Sequence, residues 1–241
     1  ILKNSFYHNF TLNYSNFNMY SFFNIYGGVN YAKRFDDVSN IIQFNGLERV
    51  NSPINIDAAN EVLSGNLNAD KRFDSFSINF SSRLTRSVSN NFISDIANEN
   101  TSFQQTYKAF ISTTFFKKMN IDIGIEKTFN SYEGNNTTSN FENDRPYIDL
   151  DVRFLKGFRF DVNYEYNNYQ NKANGVQSDF EILDASLGYR KDKTPWEFKV
   201  EGMNLLNTTG IRRDSFSESL ISTYEYFIQK RYWLLSVVYD L

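Results

Sequence analysis

Carboxylates and bases interleave in the second half of the chain: Asp149, Asp151 and Arg153, then Arg159, Asp161 and Glu165, then Glu197, Lys199 and Glu201. Carboxylates gathered on one surface can hold a cation or accept hydrogen bonds from sugar hydroxyls. Asp149, Asp151, Glu165, Glu197 and Glu201 are candidates for such a site. The same groups on adjacent strands can instead pair across with Arg153, Arg159, Arg190 and Lys199. His8 is the single imidazole. Hydrolysis would need a Ser and an acid to meet it in space, and its phase with Phe6 and Phe10 points instead to a place among surface aromatics. Cys is absent, which excludes disulfides and thiolate metal sites. No metal, cofactor or catalytic residue is expected. Arg212-Arg213-Asp214, Tyr132, Phe141 and Tyr169 fall in polar stretches, where Arg and aromatic side chains are natural ligand contacts.

Composition limits what can position these groups. The 241 residues are 41% hydrophobic and 17% aromatic, with 24 Phe and 16 Tyr, yet mean hydropathy is -0.51. That combination arises when every second residue faces lipid and the others face water, with polar loops between. No stretch approaches the roughly 18 consecutive apolar residues of a membrane-spanning helix. The net charge of -3 and a pI near 5.3 argue against a nucleic-acid partner, which requires a basic face. The chain opens at Ile1 with neither Met nor a charged-then-apolar leader, which reads as a mature chain or a fragment.

The period is two. Phe6, Phe10, Leu12 and Tyr14 are in phase, as are Phe23, Ile25, Val29 and Tyr31; Phe76, Ile78, Phe80 and Leu84; Ile121, Ile123 and Ile125. Ile148, Leu150 and Val152, then Phe158, Phe160, Val162, Tyr164 and Tyr166, continue the series, and Trp233, Leu235, Val237, Tyr239 and Leu241 end it. Such runs predict about eleven strands. The residues out of phase are polar or charged, the candidate carboxylates among them.

A sandwich and a barrel share this alternation, so connection lengths have to separate them. Short links fall around Asn16 to Tyr20, Arg72 to Ser75, Phe116 to Lys118, Leu155 to Gly157 and Lys191 to Pro195. Long ones run from Phe35 to Asn60, Arg86 to Ser102, Asn130 to Asp144, Asn168 to Ser178 and Asn204 to Ser222. Strict alternation of short and long is the habit of outer-membrane barrels, with tight periplasmic turns and long extracellular loops. Within the longest link, Ile41-Ile42-Gln43-Phe44 and Leu47-Glu48-Arg49-Val50 flank Asn45-Gly46, the favoured pair for a two-residue hairpin turn. An odd strand number puts the two ends on opposite sides, so the chain reads as part of a barrel.

The carboxyl-terminal residues Glu201-Gly202-Met203-Asn204-Leu205-Leu206-Asn207, followed after a loop by Lys230-Arg231-Tyr232-Trp233-Leu234-Leu235-Ser236-Val237, resemble the last two strands of TonB-dependent receptors of Bacteroidota. Leu2-Lys3-Asn4 with His8-Asn9, and Ser52-Pro53-Ile54-Asn55-Ile56-Asp57, are similar to segments of the same receptors. Leu241 stands where the family usually ends in Phe, while Tyr239 keeps the aromatic two places before it. The resemblance implies a transmembrane antiparallel up-and-down β-barrel of 22 strands with a plugged lumen. Residues 1–241 would be its carboxyl-terminal half, without the plug domain and the amino-terminal strands. It also implies a location in the outer membrane of a Gram-negative bacterium, among lipids and lipopolysaccharide, and partners in the plug, the TonB complex and a surface lipoprotein.

The expected function is therefore energised uptake of a scarce nutrient, a siderophore, glycan or peptide. Asp149, Asp151, Arg153, Glu165 and Glu201 would meet it in the lumen, and Tyr132, Phe141, Tyr169, Arg212 and Arg213 on extracellular loops. Loop packing, or contact with anionic lipopolysaccharide, is the other reading of the loop residues. A passive porin or a structural barrel subunit, and an outer-membrane hydrolase using His8, are the rival functions.

Overall fold

The computed structural model describes residues 2–46, 48–93, 96–115, 118–135, 137–172, 175–217 and 220–240, with backbone alone at 114–115, 137, 212–217 and 220–223. Among the described residues there are fifteen strands: β1 (Phe6–Asn18), β2 (Phe23–Phe35), β3 (Val38–Asn45), β4 (Glu48–Asn55), β5 (Asn60–Arg72), β6 (Phe76–Ile93), β7 (Ile96–Phe115), β8 (Met119–Gly134), β9 (Thr137–Phe154), β10 (Phe158–Asn171), β11 (Val176–Arg190), β12 (Trp196–Met203), β13 (Gly210–Ser217), β14 (Leu220–Phe227) and β15 (Tyr232–Tyr239). The chain is all-β and builds a 13-stranded sheet. Its antiparallel up-and-down path is β1-β2-β5-β6-β7-β8-β9-β10-β11-β12-β15, with β3 and β4 set beside β6 and with β13 and β14 forming a separate hairpin. β1 and β15 are its edges, and the sheet does not close on itself among the described residues. Both edge strands run the same way, so they could not meet as an antiparallel pair.

The pairing register along this path is regular, without an inserted residue on any strand. Period two is therefore preserved across all of it, and the phases read from the sequence become two continuous faces. One is apolar, from Leu12 and Val29 through Ile78, Ile111, Ile123 and Leu150 to Val200, Leu235 and Val237. The other carries Asn, Ser, Thr, Asp, Glu, Arg and Lys.

Among the described residues the apolar face has no second layer over it. Strands touch their sheet neighbours, and β13 touches β11. Ile123 keeps 54% of its surface exposed and Leu235 71%. Among the described residues the buried hydrophobic ones are Ile42, Ile56, Tyr169 and Phe180, none from the apolar face. The band spans Phe76 to Leu84 on β6 and Phe158 to Tyr166 on β10, then gives way to Arg86 and to Asn168 and Gln170.

The turns at 19–22, 73–75, 155–157 and 191–195 are short and form a lower rim. The upper rim differs from expectation. Arg86 to Ser102, Asn130 to Asp144 and Asn168 to Ser178 are not long loops, because the strands run through them, paired from Val88↔Thr101 up to Ile93↔Ile96 and from Asn130↔Phe141 up to Gly134↔Thr137. These stretches hold no Gly or Pro until the turns, so nothing interrupts the ladder, which satisfies backbone groups that a loop would leave to water.

The hairpin at Asn45-Gly46 forms as β3 and β4, with Gly46 at a φ of 66°. It leans on the top of β6 through Ile41↔Phe92 and Ile42↔Ile93, burying Ile42. The second hairpin, β13 with β14, was not legible in the sequence. Its neck is clasped by Asn204, at a φ of 51°: the buried side-chain amide donates to Thr208 O at 2.7 Å and Gln229 O at 2.9 Å and accepts from Thr208 N at 2.9 Å.

Candidate functional site

The polar face divides into two regions. Across β1, β2, β5, β6, β7 and β8 runs one paired row of short uncharged groups: Thr11, Asn30, Ser64, Thr85, Gln104 and Asn130. Beneath it Asn13, Gly28, Asn66, Thr106 and Thr128 continue the pattern, broken by Arg83. Asn30, Ser64, Thr85 and Gln104 of this row line a basin of about 770 Å³ together with the charged Arg83, Lys108 and Glu126. A Cβ at Gly28 would lie 2.5 Å from Asn13 Oδ1, so a larger residue there would displace that side chain.

Across β8 to β12 the same face is acidic. Asp122, Asp149, Asp151, Asp161, Asp184 and Glu201 line a groove of about 410 Å³. Asp122 stands directly opposite Asp149, and Asp151 opposite Asp161. Arg159 bridges the second pair at 2.6 Å and 2.9 Å, and Lys199 lies 2.7 Å from Glu201. Asp149 accepts from Asn163 Nδ2, and Asp184 from the Asn204 backbone N–H at 2.7 Å. Asp122, Asp149 and Asp184 have no ion pair among the described residues. No group of three potential metal ligands comes together among the described residues either.

A divider separates the regions. Phe110, Gly124 and Tyr147 are paired in one row, and a Cβ on Gly124 would sit 2.6 Å from Phe110 Cβ and 2.7 Å from the Tyr147 ring. Lys108 Nζ lies 5.4 Å from the Phe110 ring centroid and 5.1 Å from that of Tyr147. Gly124 thus lets two rings close over the sheet, with a cation held across them.

The residues singled out in the sequence are only partly brought together. Asp149, Asp151 and Glu201 share the groove. Arg153 lies below it, largely exposed, 3.9 Å from the buried Asp151 Oδ1. Glu165 lies above it, 3.6 Å from Arg145 and accepting from Asn167 Nδ2 at 2.5 Å. Glu197 faces Arg190 at 3.6 Å. Cross-strand pairing therefore occupies Asp151, Glu165 and Glu197, while Glu201 pairs with Lys199 along its own strand.

Tyr132, Phe141 and Tyr169 are not on loops but on β8, β9 and β10, facing the polar side, because the ladder extends through those stretches. The Tyr132 hydroxyl donates to Asn100 Oδ1 at 2.5 Å, and Phe141 packs on the buried Tyr169 ring at 5.7 Å. Around them Asn91, Asn98 and Asn100 are buried and bonded to one another, with Asn98 Nδ2 2.9 Å from both Asn91 Oδ1 and Asn100 Oδ1. Arg212 and Arg213 lie in β13, opposite Glu225 and Tyr224, rather than in an irregular loop; their side chains are outside the described residues. His8 lies on the apolar side, edge-on to Phe35 at 5.6 Å.

Sequence reading did not select Asp122, Asp161, Asp184, the divider or the uncharged row. Their phase was readable, since Asp122 sits between Ile121 and Ile123, but which residues stand side by side depends on register.

Above the apolar band on the outer side, Lys127 meets Asp144 at 2.9 Å and Glu142 at 3.7 Å, and Lys172 meets Glu142 at 2.5 Å. The Asp144 carboxylate holds the Lys127 ammonium above its ordinary value, and Lys172, with Lys127, holds the Glu142 carboxyl below the ordinary glutamate range.

Comparison with protein-family models, with curated proteins and with solved structures finds no match to this chain.

Proposed function

We propose that this chain is wall from the carboxyl-terminal part of a transmembrane β-barrel in a Gram-negative outer membrane, and that the barrel is a TonB-dependent receptor importing a siderophore, glycan or peptide. One observation carries the reading: a single-layer sheet, wet on one face, presents a bare apolar band on the other. In water such a band would drive association, whereas hydrocarbon is its natural solvent. A spanning strand needs about 9–11 residues, which is the height of the band on β6 and β10.

Stagger supports closure by further strands. The paired row through Leu183, Tyr164, Ile148, Ile123, Ile111, Ile78, Lys71 and Phe23 begins at the upper edge of the band and finishes at its lower edge. With the band level, the strands incline by about 30°, near the roughly 35–45° of barrels. Aromatic rings collect at the lower rim, where Phe158 packs on Phe154 at 5.6 Å and on Tyr189 at 4.5 Å, and Trp196 on Tyr239 at 4.8 Å. At the upper edge Tyr107 meets Phe129 at 6.4 Å, with Lys127 5.0 Å from the Phe129 ring. Two such girdles mark membrane interfaces. The receptor assignment itself rests on the carboxyl-terminal resemblance.

Trp196 and Trp233 both point from the apolar face, and they are the only two Trp of the chain. In the full-length protein reconstituted in vesicles, brominated acyl chains should quench their fluorescence, read as the signal lost in Trp196→Phe and Trp233→Phe variants. Equal emission in brominated and plain lipid would sink the membrane reading. Uptake that persists unchanged in cells lacking TonB would point to a passive porin instead.

A further inference from the structure

We infer that the lower rim docks anionic phospholipid headgroups, an inference that rests on the barrel reading and adds the class of lipid that meets this end of the wall. The chain carries a net charge of -3, yet the links that join strands at this rim are basic. Lys71 and Arg72 lead into the turn between β5 and β6, Lys118 closes the one between β7 and β8, Lys156 lies between β9 and β10, and Lys191 and Lys193 lie between β11 and β12. Asp74 and Asp192 are the carboxylates of the same turns. Links at the opposite rim are mixed, with Asp36, Asp37 and Asp57 in some and Lys172, Lys230 and Arg231 in others.

The cations of the lower rim are open. Arg72, Lys118, Lys156, Lys191 and Lys193 are exposed, and none of the five has an ion pair among the described residues. Lys71 is engaged within the rim, donating to Ser21 O and lying 5.7 Å from the Phe73 ring centroid. Higher on the outer side, by contrast, lysines are neutralised: Lys33 by Glu61 at 2.6 Å, Lys127 by Asp144 at 2.9 Å and Lys172 by Glu142 at 2.5 Å. Beside the turn at 191–195, Arg190 holds both Glu197, at 3.6 Å, and Asp240, at 2.5 Å. That leaves Asp192 alone against Lys191 and Lys193.

Position selects a lipid over a dissolved anion. These turns follow directly on the lower aromatic girdle, where Phe73 stacks on Phe76 at 4.5 Å, Phe158 packs between Phe154 and Tyr189, and Trp196 packs on Tyr239. With acyl chains against the apolar band and the ester region level with the rings, a lipid phosphate lies level with the turns, within reach of long lysine side chains. Lys156, Lys191 and Lys193 stand nearest that phosphate, while Arg72 and Lys118, which follow the phase of the polar face, add to the field. Successive turns are two strands, about 10 Å, apart, close to the Debye length of about 8–10 Å, so their attractions for a negative surface overlap. Clusters of about four to eight basic residues beside a membrane-spanning segment gather anionic lipid in this way. The turn between β1 and β2, Met19-Tyr20-Ser21-Phe22, is uncharged and bounds the patch.

The two Trp report on opposite edges of the band: Trp196 stands at this rim, paired with Tyr239, and Trp233 at the other edge, paired with Gly202. Full-length protein would be reconstituted in phosphatidylcholine vesicles with a minor share of phosphatidylglycerol, brominated to equal total bromine on one lipid or on the other. Emission is again read as the signal lost in Trp196→Phe or Trp233→Phe. Brominated phosphatidylglycerol should quench Trp196 at least about twofold more than brominated phosphatidylcholine does. Lys156→Gln, Lys191→Gln and Lys193→Gln together should bring the two lipids level at Trp196 and leave Trp233 as it was, which also shows that the variant has assembled; arginine at the same three positions should keep the excess. Equal quenching of Trp196 by the two lipids, or an excess that survives the glutamines, defeats the headgroup assignment while the barrel stands. If quenching is equal and hexaglutamate binds saturably to the protein but not to the glutamine variant, the rim belongs to an acidic protein segment instead. If neither brominated lipid quenches either Trp, the barrel reading fails as well.

Discussion

The amide basin and the carboxylate groove lie on one face of one sheet, share its backbone geometry, and differ in how their side chains are kept. In the groove, like charges stand opposite each other and Arg159 is recruited between Asp151 and Asp161. In the basin, small neutral groups stand opposite one another, and Ser64, Thr85 and Gln104 make no side-chain hydrogen bond among the described residues. The difference teaches that wetness alone does not set the composition of this wall: the groove gathers carboxylates and sets Arg159 and Lys199 among them, whereas the basin sets facing neutral groups beside Arg83, Lys108 and Glu126.

The divider is where that contrast breaks most severely. Gly124→Leu should cost about 1–3 kcal/mol through overpacking against Phe110 and Tyr147, read as a lower denaturant midpoint of the vesicle-bound protein, and an unchanged midpoint would mean that the rings do not close over Gly124. Next comes Arg159→Ala, which leaves two facing carboxylates uncompensated; after discounting for the exposure of the arginine the loss should be about 1 kcal/mol. Arg83→Ala in the basin, with no ion pair among the described residues, should stay within about 0.5 kcal/mol. Equal losses at the two arginines would erase the distinction.

Smaller and of opposite sign, Asp122→Asn should stabilise by roughly 0.5 kcal/mol, because it removes a like charge directly opposite Asp149. Destabilisation there would show that the carboxylate holds something the protein requires.

The smallest effect lies above the band, where the Lys127, Asp144, Glu142 and Lys172 cluster is part-exposed. Glu142, held below its ordinary value, contributes stability that is present above the ordinary glutamate range and is lost as pH falls through its own lower value. Lys127, held above its ordinary value, contributes stability that is present below the ordinary lysine range and is lost as pH rises through its own higher value. Unfolding midpoints taken across pH at low salt should sag at both extremes, and Lys127→Ala should flatten the alkaline limb; identical profiles would exclude the cluster as the cause.

The alternation of Phe158, Phe160, Val162, Tyr164 and Tyr166 with Arg159, Asp161, Asn163 and Glu165 was enough to assign each residue to a face, because an extended chain turns its side chains over every residue and the register here never slips. The eleven-strand path and the Asn45-Gly46 hairpin follow from the same local rules. Local pattern misassigned Tyr132, Phe141 and Tyr169, since polar, Asn-rich segments read as loops when no partner strand is in view. It also could not reveal the β13 and β14 hairpin, whose clasp at Asn204 joins residues far apart in the chain. Which carboxylates face each other, which amides are spent and which stay open, and where Gly124 admits two rings were decided only by tertiary structure. The physical reason is that cross-strand neighbours are fixed by pairing register, a property of two segments together that neither segment carries alone.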